Sequence, residues 1–328
     1  MTLNKGKSNC ITDVNGVKVG HVTLYEELDE TKTICTGVTA ILPHDDNLFN
    51  KKVRAGSAIL NGYGKTTGLP QIEEIGLLEA PIMLTTTFSV GAVWQGTLEY
   101  MLQETKEIGD TTSSINIVVG ECNDSYLNSI REQAIKPEHA IQAIESATEQ
   151  PAEEGAVGAG TGMVCFGYKG GIGTASRTIN SEKGVYTLGC LVVSNFGKRE
   201  EALFADWGKH KMETPDGSIM MIIATDAPLY DRQLKRLAKR CAAGLGRTGS
   251  HLDNGSGDIA IAFSTANSYE HHTNSEDESI VYLRDDHEVM NQLFQATVET
   301  TEEAVIRSLK MAETTYGRKG RKVEKAPL

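Results

Sequence analysis

The residues with the clearest chemical potential lie between positions 247 and 258. They read Arg247-Thr248-Gly249-Ser250, then Asn254-Gly255-Ser256-Gly257-Asp258, directly ahead of the apolar run IAIAFSTAN (259–267). A serine hydroxyl that follows a glycine can attack the glycine carbonyl carbon. An ester C–O bond then forms as the peptide C–N bond breaks, and the amide nitrogen leaves as an α-amine. Hydrolysis of the ester leaves serine at a new N-terminus. An α-amine has an ordinary pKa of about 8, so a usable fraction is neutral near pH 7. That amine can act as general base for its own hydroxyl. Glycine ahead of the serine tolerates the backbone geometry that the attack needs. Gly-Ser pairs are common, however, and a flexible loop is the simpler reading of these residues alone.

Other constellations point to less. Gly158-Ala-Gly160-Thr-Gly162 lies in a glycine-dense stretch (153–177), but strand-like MVCFGY follows it where a dinucleotide fingerprint needs a helix. Phosphate-loop and zinc-protease motifs do not occur. His271 and His272 sit in a polar, acidic stretch and are expected to face solvent. His251 could assist a nucleophile at Ser250, but a loop histidine is usually just exposed. No G-x-S-x-G elbow occurs in strand–turn–helix context. The six cysteines (10, 35, 122, 165, 190 and 241) are scattered without a C-x-x-C pair, so reduced, buried thiols are expected. No metal or organic cofactor is expected.

The elements that must position these residues alternate between strand and helix. Residues 10–24 read as a hairpin around Asn15-Gly16. Strands are expected at 35–42, 80–87, 115–120, 184–195, 218–225 and 259–267. Residues 56–66 read as a helical turn and loop. Helices are expected at 89–107, 123–134, 136–148 and 289–313. A further helix is expected at 226–244, with Asp226 as N-cap and Pro228 in its first turn. Residues 270–288 read as a polar surface insertion and the basic tail from 317 as mobile. A single α/β domain of layered sheets and helices is the simplest architecture, with a doubly wound parallel sheet as competitor.

Composition narrows the function classes. The 328 residues carry 32 Lys and Arg against 44 Asp and Glu, a net charge of −12. That balance argues against a nucleic-acid binder. The basic residues of the 229–243 helix read as a solvated face. No apolar run is long enough to span a membrane, and the N-terminus lacks the apolar core of a secretory leader. The expectation is a cytoplasmic protein.

The chain resembles the DmpA family of self-processing aminopeptidases, the L-aminopeptidase/D-Ala-esterase/amidase group with its β-peptidyl aminopeptidase relatives. The resemblance runs from ITDVNGVKVGHVT (11–23) to TTEEAVIRSL (300–309). It is carried by TGVTAILP (36–43), VVGECNDSYLNSI (118–130), GAVGAGTGMVCFGYKGGIGTASR (155–177), SNFGKR (194–199), ATDAPLYDRQLKRLAKR (224–240) and GRTGSHLDNGSGDIAIAFSTAN (246–267).

This resemblance implies a four-layer α-β-β-α sandwich, like the N-terminal-nucleophile hydrolases in layering. It implies self-cleavage between Gly249 and Ser250 into chains 1–249 and 250–328. It also implies a homo-oligomer, a tetramer of such two-chain units, acting on small peptides, amides or esters. Ser250 matches the nucleophile and Asn195 the oxyanion-hole asparagine. Glu121 matches the carboxylate that receives the substrate's amino group. Asn123 stands where the best-known members carry a tyrosine thought to assist at the oxyanion; asparagine also donates, with shorter reach. Thr301 and Glu303 match a Ser/Thr-x-Glu element that orients the nucleophile's amine. The rival expectations are an acyltransferase of the ornithine acetyltransferase type and an uncleaved, non-catalytic binding relative.

Overall fold

The computed structural model describes residues 2–206 and 217–328. Its strands are β1 (Lys18–Glu27), β2 (Thr33–Leu42), β3 (Lys51–Gly62), β4 (Leu77–Leu78), β5 (Ile82–Thr86), β6 (Val118–Cys122), β7 (Val164–Cys165), β8 (Tyr168–Lys169), β9 (Gly171–Ser181), β10 (Gly184–Asn195), β11 (Ser218–Thr225), β12 (Gly257–Glu270), β13 (Thr315–Gly317) and β14 (Arg321–Val323). Its helices are α1 (Leu69–Ile75), α2 (Val90–Glu104), α3 (Pro137–Glu145), α4 (Asp231–Thr248) and α5 (Glu288–Lys310).

Two sheets face each other. One has the order β1-β2-β5-β6, the other β4-β3-β12-β11-β10-β9. Antiparallel pairing dominates, but β5–β6 and β11–β12 are parallel. A parallel pair needs a long crossover, and α2 and α4 supply the two crossovers. Each lies on the outer face of its own sheet. α3 packs beside α2 over β1 and β2, and α5 packs beside α4 over β9 and β10. The result is the α-β-β-α sandwich, not a doubly wound sheet.

Period-two alternation sorts the apolar residues between layers. In β11, Met220 and Ile222 point between the sheets, where they meet Ile41, Ile82, Leu84 and Val118 of the opposite sheet. Ile219, Met221 and Ile223 point outward, into a cluster with Leu234 and Leu237 of α4 and Val305 and Leu309 of α5. Because both faces are covered, SIMMIIAT reads as one continuous apolar run. Gly173 of β9 lets α5 come close: a Cβ there would lie 1.9 Å from the Ala304 carbonyl oxygen. All six cysteines are buried and free.

Several expectations needed correction. Asn15-Gly16 does turn the chain, with Gly16 at φ +84°, but no strand precedes it. Residues 11–13 instead form a 3-10 turn held by Asp13, which accepts from the Ser8 and Cys10 N–H groups. The true partner of β1 is β2. Residues 56–62 continue strand β3. Residues 123–134 are turns with one 3-10 segment, because Asp124 faces inward to Thr86 and Asn128 rather than capping a helix. α4 begins at Asp231, not 226, since Asp226 accepts from the Thr187 N–H of β10. It also runs past Gly244, which lies against Thr301 of α5. His271 is half-buried, tilted against the Phe49 ring and bonded to Thr112. The tail forms the β13–β14 hairpin, with Val323 and Ala326 buried. Among the described residues, no helix is long and apolar enough to cross a membrane.

Candidate active site

Ser250 follows the C-terminal end of α4. Gly249 caps that helix in the left-handed region, at φ +108°. Any side chain there would be strained by the dihedral, and a Cβ would lie 1.8 Å from the Glu201 carbonyl oxygen. The Gly249 N–H donates to the Gly246 carbonyl and the Ser250 N–H to that of Leu245. The Leu203 N–H bonds the Thr248 carbonyl at 3.0 Å, so the segment after β10 holds the approach to Ser250. The Ser250 hydroxyl accepts from the Leu252 N–H at 3.2 Å.

Ser250 lines a small cavity of about 30 Å³ together with Phe196, Gly197, Lys198, Gly217 and Ser256. That volume suits a water molecule or two. Phe196 and Gly197 directly follow Asn195, the last residue of β10. Asn195 is buried and fully engaged. Its Oδ1 accepts from the Val164 N–H at 2.9 Å, and its Nδ2 donates to the Asn123 carbonyl and the Ser218 hydroxyl. Asn123 lies just past β6 in the other sheet. Its N–H also donates to Ser218 Oγ, and its Oδ1 accepts from the Ser125 N–H.

Glu121 occupies the same end of the sandwich. Its side chain is buried in β6, 4% exposed, yet no described residue forms a salt bridge to it. The Lys65 N–H donates to Oε1 at 2.8 Å, and the Thr87 hydroxyl donates to Oε2. Gly64 is the neighbour that joins Glu121 to the Ser250 side: a Cβ on it would lie 3.6 Å from Glu121 Oε1 and 3.7 Å from Gly257 Cα. A carboxylate this buried gains most from a cation brought to it.

Thr301 and Glu303 stand apart from this group. Thr301 is buried on α5 against Gly244 of α4, its hydroxyl donating to the Thr297 carbonyl. Glu303 accepts from Arg177, Asn9 and Lys5. His251 lines the cavity and is exposed.

Two features escaped the sequence reading, and a third was read there only as part of the 254–258 cluster and not as a pair. Asp124 is fully buried beneath Asn123, and burial pushes its carboxyl up to about 6. Lys169 is fully buried and donates to the carbonyls of Gly160, Met163 and Gly170, so it ties together the glycine-rich segment. The Ser256 hydroxyl donates to Asp258 Oδ1 at 2.6 Å. Only that last pair had a readable signal, a serine and an aspartate two apart at the start of a strand, where they share a face.

Residues 9–323 match the profile of Peptidase family S58. The chain belongs to this family. It is 40% identical to the β-peptidyl aminopeptidase BapA of Sphingosinicella microcystinivorans, across 98% of this chain and 86% of that one. Its fold superposes on the PH0078 protein of Pyrococcus horikoshii OT3 with a TM-score of 0.92 and 49% identity, covering 100% and 93% of the two chains. It superposes equally, at 0.92, on an L-aminopeptidase D-Ala-esterase/amidase from Ochrobactrum anthropi. That protein is described as a prototype of the serine aminopeptidases and a variant of the Ntn hydrolase fold. Here the identity is 35% and the coverage 99% and 93%. The S58 chain therefore carries the fold that the sequence resemblance implied.

Proposed function

We propose that this S58 chain is a serine aminopeptidase that exposes its nucleophile by cleaving itself between Gly249 and Ser250. The observation that carries the reading is Glu121, a buried carboxylate without an ionic partner among the described residues, at the sandwich end that also holds Ser250. A substrate's N-terminal ammonium supplies the missing cation. The aminopeptidases among the relatives support the same reading.

In the first stage, Ser250 Oγ attacks the Gly249 carbonyl carbon, and the ester that forms is hydrolysed by water. This yields chains 1–249 and 250–328, which together form one catalytic domain. In turnover, the Ser250 α-amine takes the hydroxyl proton as Oγ attacks the substrate's carbonyl carbon. The amine then gives that proton to the leaving nitrogen or alkoxide. Water attacks the acyl ester with the amine as base once more, releasing the acid and restoring Ser250.

Asn195 stabilises the oxyanion. Both of its Nδ2 hydrogens are engaged, so it must exchange the Ser218 bond for the substrate oxygen. Asn123 fixes Asn195 through its carbonyl and adds a short-reach donor. Thr301 and Glu303 orient the freed amine only if the residues after the cut swing toward α5. Short peptides, amides and esters with a free amine are the proposed substrates. The working form is a homo-oligomer, a tetramer of two-chain units, and light scattering reads its size.

Intact mass of freshly purified protein, beside a Ser250→Ala control, tests the mechanism. Two chains, the smaller beginning at Ser250, are expected from the wild type and one chain from the control. A wild-type chain that stays whole for days and hydrolyses no aminoacyl amide overturns the reading.

A further inference from the structure

Self-cleavage poses a problem that turnover does not. Until the Gly249–Ser250 bond breaks, the nitrogen of Ser250 is an amide and cannot serve as a base. Another group must take the hydroxyl proton. We infer that Ser256 and Asp258 form the proton relay for self-cleavage, with Asp258 as the terminal base. This rests on the proposal that Ser250 is exposed by cleavage.

Geometry leads to this pair. Ser256 and Ser250 line one cavity, which has room for a water between them. Ser256 Oγ already donates its proton to Asp258 Oδ1 at 2.6 Å, so it can accept one from the cavity side. Gly217 leaves that side open: a Cβ on it would come within 3.0 Å of Ser256 Oγ. The loop is held in place, since Asn61 Nδ2 donates to the carbonyls of Asp253, Asn254 and Ser256. Asp258 is 1% exposed, and its Oδ2 has no hydrogen-bond partner among the described residues. A structural aspartate normally has both oxygens satisfied, so this half-satisfied one is available for proton transfer.

The surroundings tune it. Burial first, then the Asp253 carboxylate of the same loop, push Asp258 up to about 6. Cys122 on β6 interacts with it across the sheets, and burial keeps that thiol neutral. Lys198 and Glu201 line the cavity and are paired with each other, Lys198 also with Asp253. Among the described residues, His251 is the remaining titratable group on the cavity wall. The strands flanking Asp258 present uncharged Ile219 and Asn61.

The proton count closes. Ser250 Oγ–H passes its proton through the cavity water to Ser256 Oγ, and Ser256 passes its own to Asp258. The C–O bond forms at Gly249, the C–N bond breaks, and the relay runs backward to protonate the departing nitrogen. Carboxylate, hydroxyl and water are all restored.

The test follows self-cleavage of the full chain by intact mass after cell-free synthesis, between pH 5 and 8.5. Wild type is expected to cleave about tenfold faster per pH unit below 6 and to level off above it. Asp258→Asn is expected to slow cleavage by about 100-fold and flatten the profile. Ser256→Ala is expected to slow it less, because water can fill the gap, and to move the inflection upward, because it removes the hydrogen bond by which Ser256 lowers Asp258. Circular dichroism reports folding. If Asp258→Asn does not fold, the wild-type and Ser256→Ala profiles decide. A wild type with no inflection between pH 5 and 7, or variants that cleave like wild type, overturn the relay while self-cleavage stands. A wild type that never cleaves overturns both.

Discussion

Asn195 Nδ2 donates to the carbonyl oxygen of Asn123 at 2.9 Å. One residue ends β10 of the six-stranded sheet, and the other follows β6 of the four-stranded sheet. The bond ties the two sheets together at the end where Ser250 and Glu121 lie, and Ser218 Oγ braces it by accepting from both residues.

Asn195→Ala therefore removes more than the proposed oxyanion donor. Turnover in the cleaved enzyme is expected to fall by about 10²–10³ in kcat. The variant also leaves the Val164 N–H buried and unpaired, at about 1–3 kcal/mol of stability. Asn195→Asp keeps the acceptor for Val164 but loses the donor. It should show the kcat loss and spare that N–H. Steady-state kinetics beside urea melts separate the two effects, and equal kcat in both variants and wild type would count against the oxyanion role.

Glu121→Gln retains shape and an acceptor for the Lys65 N–H but removes the charge, and the Thr87 hydroxyl must turn to accept from the new amide. For substrates with a free α-amine, kcat/KM is expected to drop by about 10–150-fold, equivalent to roughly 1.5–3 kcal/mol for a charge-assisted contact. Activity on an N-acetylated amide should stay at its low background in both proteins. Equal losses on both substrate types would point to a structural role for Glu121 instead.

Gly249→Ala leaves Ser250 untouched but puts a Cβ on the Glu201 carbonyl and strains a φ of +108°. Self-cleavage is expected to slow by an order of magnitude or more, since the attack depends on this backbone. Time-resolved intact mass gives the rate, and wild-type speed would show that the turn is incidental.

Arg177 bridges β9 to α5 through Glu299 and Glu303. Burial pushes Glu299 up, but hydrogen bonds from Gln295, Arg177 and Leu3 outweigh it and hold the group below its ordinary value. Glu303 is likewise raised by burial but held low overall, by Lys5, Arg177 and Asn9. For carboxylates lowered in this way, the stabilisation is present above the unfolded pKa and is lost as pH falls through the folded one. Arg177→Met is expected to cost about 3 kcal/mol at pH 7, because it strands the buried Glu299 charge, while Glu303 keeps Lys5 and Asn9. The penalty should shrink as pH falls below the ordinary carboxylate range and through the lowered folded-state values. Thermal melts taken in steps from pH 7 down to the acid limit of folding check this, and a constant penalty would refute it.

Asp124 has the opposite sign. Burial raises its carboxyl to about 6, so the folded state holds the proton more tightly than the unfolded one. Its contribution is most favourable below the unfolded pKa and declines as pH rises through about 6. The melting temperature of Asp124→Asn, relative to wild type, is expected to climb between pH 4.5 and 7.5. A difference that stays flat over this range would mean that Asp124 keeps an ordinary carboxylate pKa.

The residues by themselves determined the layering materials and marked the candidate chemistry. Apolar, β-branched runs bounded β10 and β11 at 184–195 and 218–225, because strands buried on both faces need no partner information to be recognised. Helical spacing located α2, α3 and α5, and the Gly-Ser pair with its family motifs marked residue 250. Tertiary structure decided what local pattern cannot carry. Residues 56–62 extend as a strand because β12 pairs with them. Asp226 leaves its helix because the Thr187 N–H offers a better partner. Tail residues are ordered because Val323 and Ala326 find a core. The site itself was legible only as separate residues. Glu121, Asn123, Asn195 and Ser250 share one end of the sandwich because sheet order brings β6, β10 and the α4–β12 turn together. Sheet order is set by long-range burial rather than by any period within a segment. The Ser256–Asp258 pair was visible as letters two apart, but its buried, half-satisfied carboxylate depended on the walls that folding built around it.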